Sequence, residues 1–415
     1  VAELYEIKEQ EERLILVGVS SSERDDIVQS LDELEELIAT AGAAAAGRII
    51  QNRESIHPGT YIGKGKIEEV RELVMETGAT GVVCDDELTP VQFKNLEDAL
   101  QMKVLDRTVI ILDIFAKRAS TKEGKIQVEL AQLRYRSTRL IGLRNSLSRL
   151  GGGIGTRGPG EKKLEMDRRI IKERITLLKR ELEDVKQSRE TLRGLRSKNR
   201  IPVAAIVGYT NAGKSTLLNH LTNAGVLEED KLFATLDPTT RILALESGQQ
   251  LLLTDTVGFI RKLPHHLIEA FRSTLEESRY ADILIHVVDS SNPDADRQMH
   301  IVYDTLNRLG IQDKVIITAF NKQDKPEAEA VIKDFKADHT VRISAKTGEG
   351  LEQLLQLLER VLNERKVLLE KVFSYQDAGK IQTVRKYGQL LEEEYQQDGI
   401  YIKAYVPKDI HQSLV

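Results

Sequence analysis

Tryptophan is absent from this chain, and cysteine occurs once, at Cys84. A lone thiol excludes an intrachain disulfide and any metal site built from several cysteines, and it suits a reducing compartment. No apolar run approaches the roughly 18 residues that a membrane span requires. The opening VAELYEIKEQEERLILVG is acidic and alternating, unlike a secretory leader. The expectation is a soluble, cytoplasmic, monomeric protein without stable membrane insertion.

The apolar share of 40% and charged share of 30% are those of an ordered globular chain. At 415 residues it exceeds one ordinary core, so several domains are expected. The formal charge of −5 hides an asymmetry: Lys117 to Arg200 holds 24 Lys or Arg against 10 Asp or Glu. A basic middle on an acidic protein points to a polyanionic partner met by one region.

Pattern divides the chain into four expected parts. Residues 1–115 read as a small α/β unit: RLILVGV, RIIQNR and TGVVC as strands, Glu23 to Ala39 and KIEEVRELVMETG as helices, with AGAAAAG a tight connection. Residues 116–198 read as a basic, antiparallel helical hairpin. Its second arm runs from Glu161 to Arg196, and its tip is GGGIGTRGPG, where glycines and Pro159 interrupt the helix. Residues 199–364 alternate strand and helix, as in a mostly parallel sheet covered on both faces. Residues 365–415 suggest a small strand–helix–strand module.

The third part carries the chemistry. PVAAIV runs into GYTNAGKST, Gly208 to Thr216, and then into the helix TLLNHL. This is G-x-x-x-x-G-K-[ST] in its strand–loop–helix context. Gly208 and Gly213 let the backbone curl, so that N–H groups along Tyr209, Thr210, Asn211, Ala212 and Gly213 face phosphate oxygens. Lys214 reaches the β- and γ-phosphates, Ser215 is a Mg²⁺ ligand, and Thr216 follows in the first helical turn.

Three further turns at strand ends specify the base and the metal. In DTVG, Asp255 holds Mg²⁺ through water and the Gly258 N–H senses the γ-phosphate. In NKQD, Asp324 can accept both N1–H and the exocyclic amine of guanine, a pairing that adenine does not offer. Lys322 lies along the base, and Asn321 ties this loop to the P-loop. In SAK, the backbone of Ser344, Ala345 and Lys346 meets guanine O6. GTP is thus the expected substrate and GDP a product. LFATLDPTTR supplies Phe233 and a metal-binding threonine: Thr235 is favoured by its distance before Asp255, with Thr240 as runner-up. Phe259 stands where Ras-like enzymes carry a water-orienting glutamine. Slow intrinsic hydrolysis is therefore expected, with acceleration by a partner or by a cation such as K⁺ at Asn211. His265 and His266 could approach the site from the segment after Phe259, and are equally explained as surface helix positions.

With GYTNAGKS, LFATLDPTTR, LLLTDTVGFI, NKQD and the upstream GGGIGTRGPGE, nearly the whole chain resembles the HflX GTPases of the Obg–HflX superfamily. The resemblance implies a P-loop GTPase with Lys214, Thr235 and Gly258 as catalytic positions. It also implies association with the large (50S) ribosomal subunit, in splitting or rescuing ribosomes or in their biogenesis. The tip Gly151–Gly160 with Arg157, and nearby Arg149, Lys162 and Lys163, would then contact ribosomal RNA. Lys and Arg on an extended hairpin suit RNA phosphates independently. Two alternatives remain: a GTP-dependent switch whose main partner is a protein, and a nucleotide-driven RNA remodeller with a second nucleotide in the N-terminal unit.

Overall fold

A computed structural model describes residues 12–20, 26–150, 159–199, 201–222, 225, 232–246, 248–264, 277–329, 332–364 and 366–414. His265, His266, Arg157 and the start of the helix anticipated at Glu23 lie outside these described residues.

The N-terminal unit alternates strand and helix: β1 (Arg13–Ser20), α1 (Ile27–Ala41), β2 (Ala44–Asn52), α2 (Lys64–Thr77), β3 (Gly81–Cys84), α3 (Pro90–Leu100), β4 (Lys103–Asp106) and α4 (Arg107–Arg118). Its strands form a parallel sheet in the order β2-β1-β3-β4. Covered on both faces, β1 buries six consecutive residues, which is why it reads as a continuous apolar run. In α1, Ile27, Leu31, Leu34, Leu37 and Ile38 share the buried stripe, and the helix ends on Gly42 at φ 94°.

One local expectation fails here. Ala44 to Gly47, read as a tight connection, is the first half of β2 and pairs with β1. Small residues are needed there because α2 lies close: a Cβ on Gly47 would approach Leu73 Cδ2 to 2.9 Å. In addition, α3 and β4 carried no periodic signal long enough to be noticed, although Thr89 and Gln92 form a capping box around Pro90.

The middle region is the pair α5 (Lys122–Leu150) and α6 (Pro159–Asn199). Ile126 and Leu130 of α5 pack on Leu178 of α6, and Arg174 pairs with Glu129 across the seam at 2.7 Å. At 41 residues, α6 is roughly 60 Å long and starts earlier than expected. Pro159 is tolerated because the first helical residue needs no N–H partner.

The third region contains β5 (Val203–Gly208), α7 (Lys214–Thr222), β6 (Thr239–Ala244), β7 (Gln250–Asp255), β8 (Ile283–Asp289), α8 (Ala295–Arg308), β9 (Val315–Asn321), β10 (His339–Arg342) and α9 (Leu351–Glu364). The sheet order is β10-β9-β8-β5-β7-β6, with β6 alone antiparallel. Alternation along β5 divides the core. Ala204 and Ile206 face Leu217 of α7 and Leu354 and Leu358 of α9, whereas Ala205 and Val207 face the opposite side. On that side one apolar cluster runs through Val302 of α8, Phe259 and Phe233 to Phe115, Leu31 and Leu14. The N-terminal unit and the nucleotide-type domain therefore share a core.

The last region differs from a strand–helix–strand module. It comprises β11 (Lys366–Phe373), α10 (Ala378–Tyr387), β12 (Gln389–Gln396), β13 (Gly399–Pro407) and α11 (Lys408–Leu414), with an antiparallel order β11-β13-β12. Two strands were expected and three are present, because GQLLEEEYQQDGIYIKAYVP folds back before Gly399 into the antiparallel pair β12 and β13.

Candidate functional site

The ends of β5, β7, β9 and β10 bring four distant turns around one cleft of about 370 Å³. Ligands of open α/β sheets sit at this end of the strands. Thr210, Asn211, Gly213, Lys214, Ser215, Thr216, Phe233, Thr235, Gly258, Asn321, Lys322, Asp324, Ala345 and Lys346 all line it, joined by Ala234, Thr256 and Lys325.

The P-loop depends on its glycines. Gly213 has φ 96°, and a Cβ there would lie 2.2 Å from Asn321 Nδ2. On Gly208 a Cβ would lie 2.3 Å from the Val287 carbonyl oxygen. A side chain on Gly258 would reach to 3.0 Å from Lys214 Nζ. Lys214 itself is buried, donates to the Tyr209 carbonyl at 2.6 Å, and has its ammonium pushed down to about 8 by burial.

Asn321 joins the loops. Its Nδ2 donates to the Ala212 carbonyl and its Oδ1 accepts from the Ala345 N–H, each at 2.8 Å. Asp324 Oδ1 accepts from Ser344 Oγ at 2.7 Å, a bond that holds its carboxyl below the usual carboxylate range. Lys322, at φ 65°, pairs with Asp289 at 2.7 Å.

Opposite the P-loop lysine, three oxygen-bearing side chains converge. Ser215 Oγ lies 2.7 Å from Thr235 Oγ1 and donates to Asp255 Oδ2 at 2.8 Å. Asp255 Oδ1 is buried and has no hydrogen-bond partner among the described residues, and burial raises its carboxyl pKa despite Lys214 nearby. Hydroxyl and carboxylate oxygens with one orphaned acceptor are a donor set that fits Mg²⁺. Thr240 is elsewhere, in β6, with its hydroxyl 2.9 Å from that of Thr254.

Several anticipated residues act only through their backbone or at one remove. The Tyr209 ring leaves the cleft: its hydroxyl donates to Glu33 of α1 and accepts from Arg261 N–H at 2.8 Å. Tyr209 therefore meets the cleft through its backbone, whose carbonyl accepts from Lys214. Gly208 and Ala212 shape the loop, while Ser344 and Asp255 reach the cleft through Asp324 and Ser215. Phe259 is buried in the shared core, with its N–H on the Gly208 carbonyl and its own carbonyl on Thr210 N–H. Arg149 falls in α5, and Lys162 and Lys163 in α6. Their side chains lie outside the described residues.

Family models match in three stretches: a GTP-binding GTPase N-terminal region over residues 28–116, a GTP-binding GTPase middle region over 118–196, and a 50S ribosome-binding GTPase over 203–322. The GTPase HflX of Lacrimispora saccharolytica is 68% identical over 414 residues, covering 100% of this chain and 98% of that protein. The chain belongs to the HflX GTPase family. The HflX of Caldanaerobacter subterraneus subsp. tengcongensis is 50% identical over 99% of this chain and 95% of its own length. A solved GTP-binding protein from Sulfolobus solfataricus, in complex with GDP, is 24% identical over 85% of this chain and 99% of that one. The two structures superpose with a TM-score of 0.45.

In this HflX chain the residues that motif reading missed lie behind the cleft, at the contact with the N-terminal unit. Fully buried Arg107 pairs with Asp85 at 2.8 Å and with Glu33, which also accepts from Tyr209. Lys262, four residues past Gly258, reaches Asp85 and Asp86. Burial pushes the Asp85 carboxyl up, but Arg107 and Lys262 outweigh it and hold it below the usual range. No short motif encodes this network, because its partners come from separate regions of the chain.

Proposed function

We propose that this HflX-family GTPase hydrolyses GTP to GDP and phosphate as a factor of the large ribosomal subunit, dissociating or rescuing ribosomes or assisting their biogenesis in the cytoplasm. The observation that carries the guanine assignment is the Asp324 carboxylate on the cleft wall, with Ser344 holding one oxygen. A carboxylate there accepts from both N1–H and the exocyclic amine of guanine. Water attacks the γ-phosphate in line, Lys214 offsets the charge that develops on its oxygens, and the Gly258 N–H reports phosphate loss to the segment at Phe259. When Mg²⁺ is bound, Ser215, Thr235 and Asp255 would hold it, and it would add further charge neutralisation at the phosphates. Asn211, at φ 59° on the cleft wall, is the candidate K⁺ ligand.

Ribosome binding is supported by the description of the family model over residues 203–322 and by the basic hairpin. Phosphate contacts through the hairpin, with Arg149, Arg157, Lys162 and Lys163 as candidates, would make binding strongly salt-dependent. The GTP-analogue form should co-sediment with 50S particles, and the particles should accelerate hydrolysis. Absence of co-sedimentation at moderate salt in either nucleotide state would sink the ribosomal assignment. A protein partner on the same arm is the second reading, favoured by exposed Met166, Ile170 and Leu177 on α6. Charge reversal at Lys162 and Lys163 that leaves 50S binding intact would favour it. For the base, Asp324→Asn should shift preference from guanine to xanthine nucleotides, and unchanged preference would refute the pairing.

A further inference from the structure

The segment Leu232 to Asp237 is gripped from two sides. Thr235 reaches toward the cleft, with its hydroxyl 2.7 Å from Ser215 Oγ. Two residues on, Asp237 turns the opposite way, onto the base of the hairpin. Its Oδ2 accepts from Ser120 N–H at 2.8 Å, Ser120 Oγ at 2.7 Å and Thr121 N–H at 2.9 Å, and its Oδ1 accepts from Thr121 Oγ1 at 2.6 Å.

Those partners immediately precede α5 and cap its first turn. The Thr121 hydroxyl accepts from Gly124 N–H at 2.9 Å and its carbonyl from Lys125 N–H at 3.0 Å. Gly124 makes room for the carboxylate, since a Cβ there would lie 2.4 Å from Asp237 Oδ1. The residues between are packed as firmly. Phe233, at φ 55°, meets the Phe115 ring edge-on at 4.7 Å, and Leu232 and Leu236 are buried in the same cluster as Ala119.

Two residues of chain span at most about 7 Å, so little slack separates Thr235 from Asp237. An ionised carboxylate bound by four donors is costly to detach, because each donor would lose a charge-assisted bond. We propose that Asp237 is a positioning residue that makes the Thr235 hydroxyl and the first turn of α5 move as one unit. The γ-phosphate thereby sets the pose of the hairpin. By reciprocity, a partner that holds the hairpin sets the pose of Thr235 and so the hydrolysis rate. The inference rests on the assignment of Thr235 made above.

The test uses the full chain carrying labels at Lys179→Cys on α6 and Asn307→Cys on α8, with Cys84 buried and unlabelled. The label-to-label distance is measured with GDP and with a non-hydrolysable GTP analogue, beside steady-state kcat and KM. The parent should show a nucleotide-dependent distance. Asp237→Asn keeps the shape but turns an acceptor into a donor facing the Ser120 and Thr121 amides. It should abolish the distance change and lower kcat about tenfold, the loss expected of one charge-assisted hydrogen bond, with KM within about twofold. Gly124→Ala crowds the same contact from the other side and should reproduce both effects if the first variant folds poorly. A parent without a nucleotide-dependent distance, or variants that melt earlier yet keep kcat and the distance change, would overturn the proposal. Thr235→Ala separates the two readings. If it leaves kcat unchanged, the site assignment itself fails; if it lowers kcat while Asp237→Asn does not, only the coupling fails.

Discussion

Replacing Asn321 with alanine tests how far the nucleotide cleft depends on the tie between its loops. The amide makes two bonds of 2.8 Å, to the Ala212 carbonyl and from the Ala345 N–H, and both partner residues are almost completely buried. Truncation orphans one acceptor and one donor, each worth about 1–3 kcal/mol when left unpaired. The total is about 2–6 kcal/mol, divided between global stability and affinity, because the empty loops can relax and the nucleotide-bound loops cannot. Assigning half to affinity predicts GDP binding about 5- to 150-fold weaker. Fluorescent-GDP titration reads the affinity, and thermal melting with and without nucleotide reads the remainder. The geometry adds a sharper expectation. Because a Cβ on Gly213 would lie 2.2 Å from Asn321 Nδ2, Gly213→Ala should cost less in the Asn321→Ala background. What remains there is the strain of alanine at φ 96°, about 1–2 kcal/mol. An Asn321→Ala protein that binds GDP within twofold of the parent, or strictly additive effects in the double variant, would refute the reasoning.

Three other predictions follow from buried groups. Burial lowers Lys214 from 10.5 to about 8 in the empty cleft, and bound phosphates raise it again, so nucleotide binding should take up a proton above pH 8. Both states hold the proton at pH 7, so affinity should begin to fall as pH rises past 8, by at most about tenfold per unit. Calorimetry at pH 9 in two buffers of different ionisation enthalpy would show a buffer-dependent heat, and equal heats would refute the assignment. Arg107→Ala removes the guanidinium shared by buried Asp85 and half-buried Glu33 and should lower stability by about 3–5 kcal/mol in urea unfolding, whereas a loss below about 1 kcal/mol would contradict the network. Burial pushes the Cys84 thiol well above its ordinary pKa, so it should resist a thiol reagent at pH 8 until the protein unfolds; rapid labelling of native protein would count against that burial.

The local signals that survive in a sequence are those that backbone geometry imposes at short range. Gly208, Gly213 and Lys214 could be read together because a phosphate-cradling loop needs them at fixed spacing, and NKQD because its side chains follow directly on a strand. The alternation of β5 and the stripe of α1 were legible for the same reason: burial repeats with the period of the element. Ala44 to Gly47 misled because small residues suit both a turn and a strand under a close helix, and only the position of α2 distinguishes them. The third strand of the last region, β12, was lost because a short antiparallel hairpin has no period longer than itself.

What the sequence alone determined was the set of turns that a guanine nucleotide would need. The tertiary structure decided which side chains those turns present to one another. Thr235 stands beside Ser215 while Thr240 lies within a strand, because Phe233 ahead of Thr235 is held against Phe115 and Asp237 after it is held at the base of α5. Tyr209 faces Glu33 rather than the cleft because a second domain supplies a buried carboxylate on that side. Contacts between residues more than a hundred positions apart depend on how whole domains pack, and no local spacing encodes that.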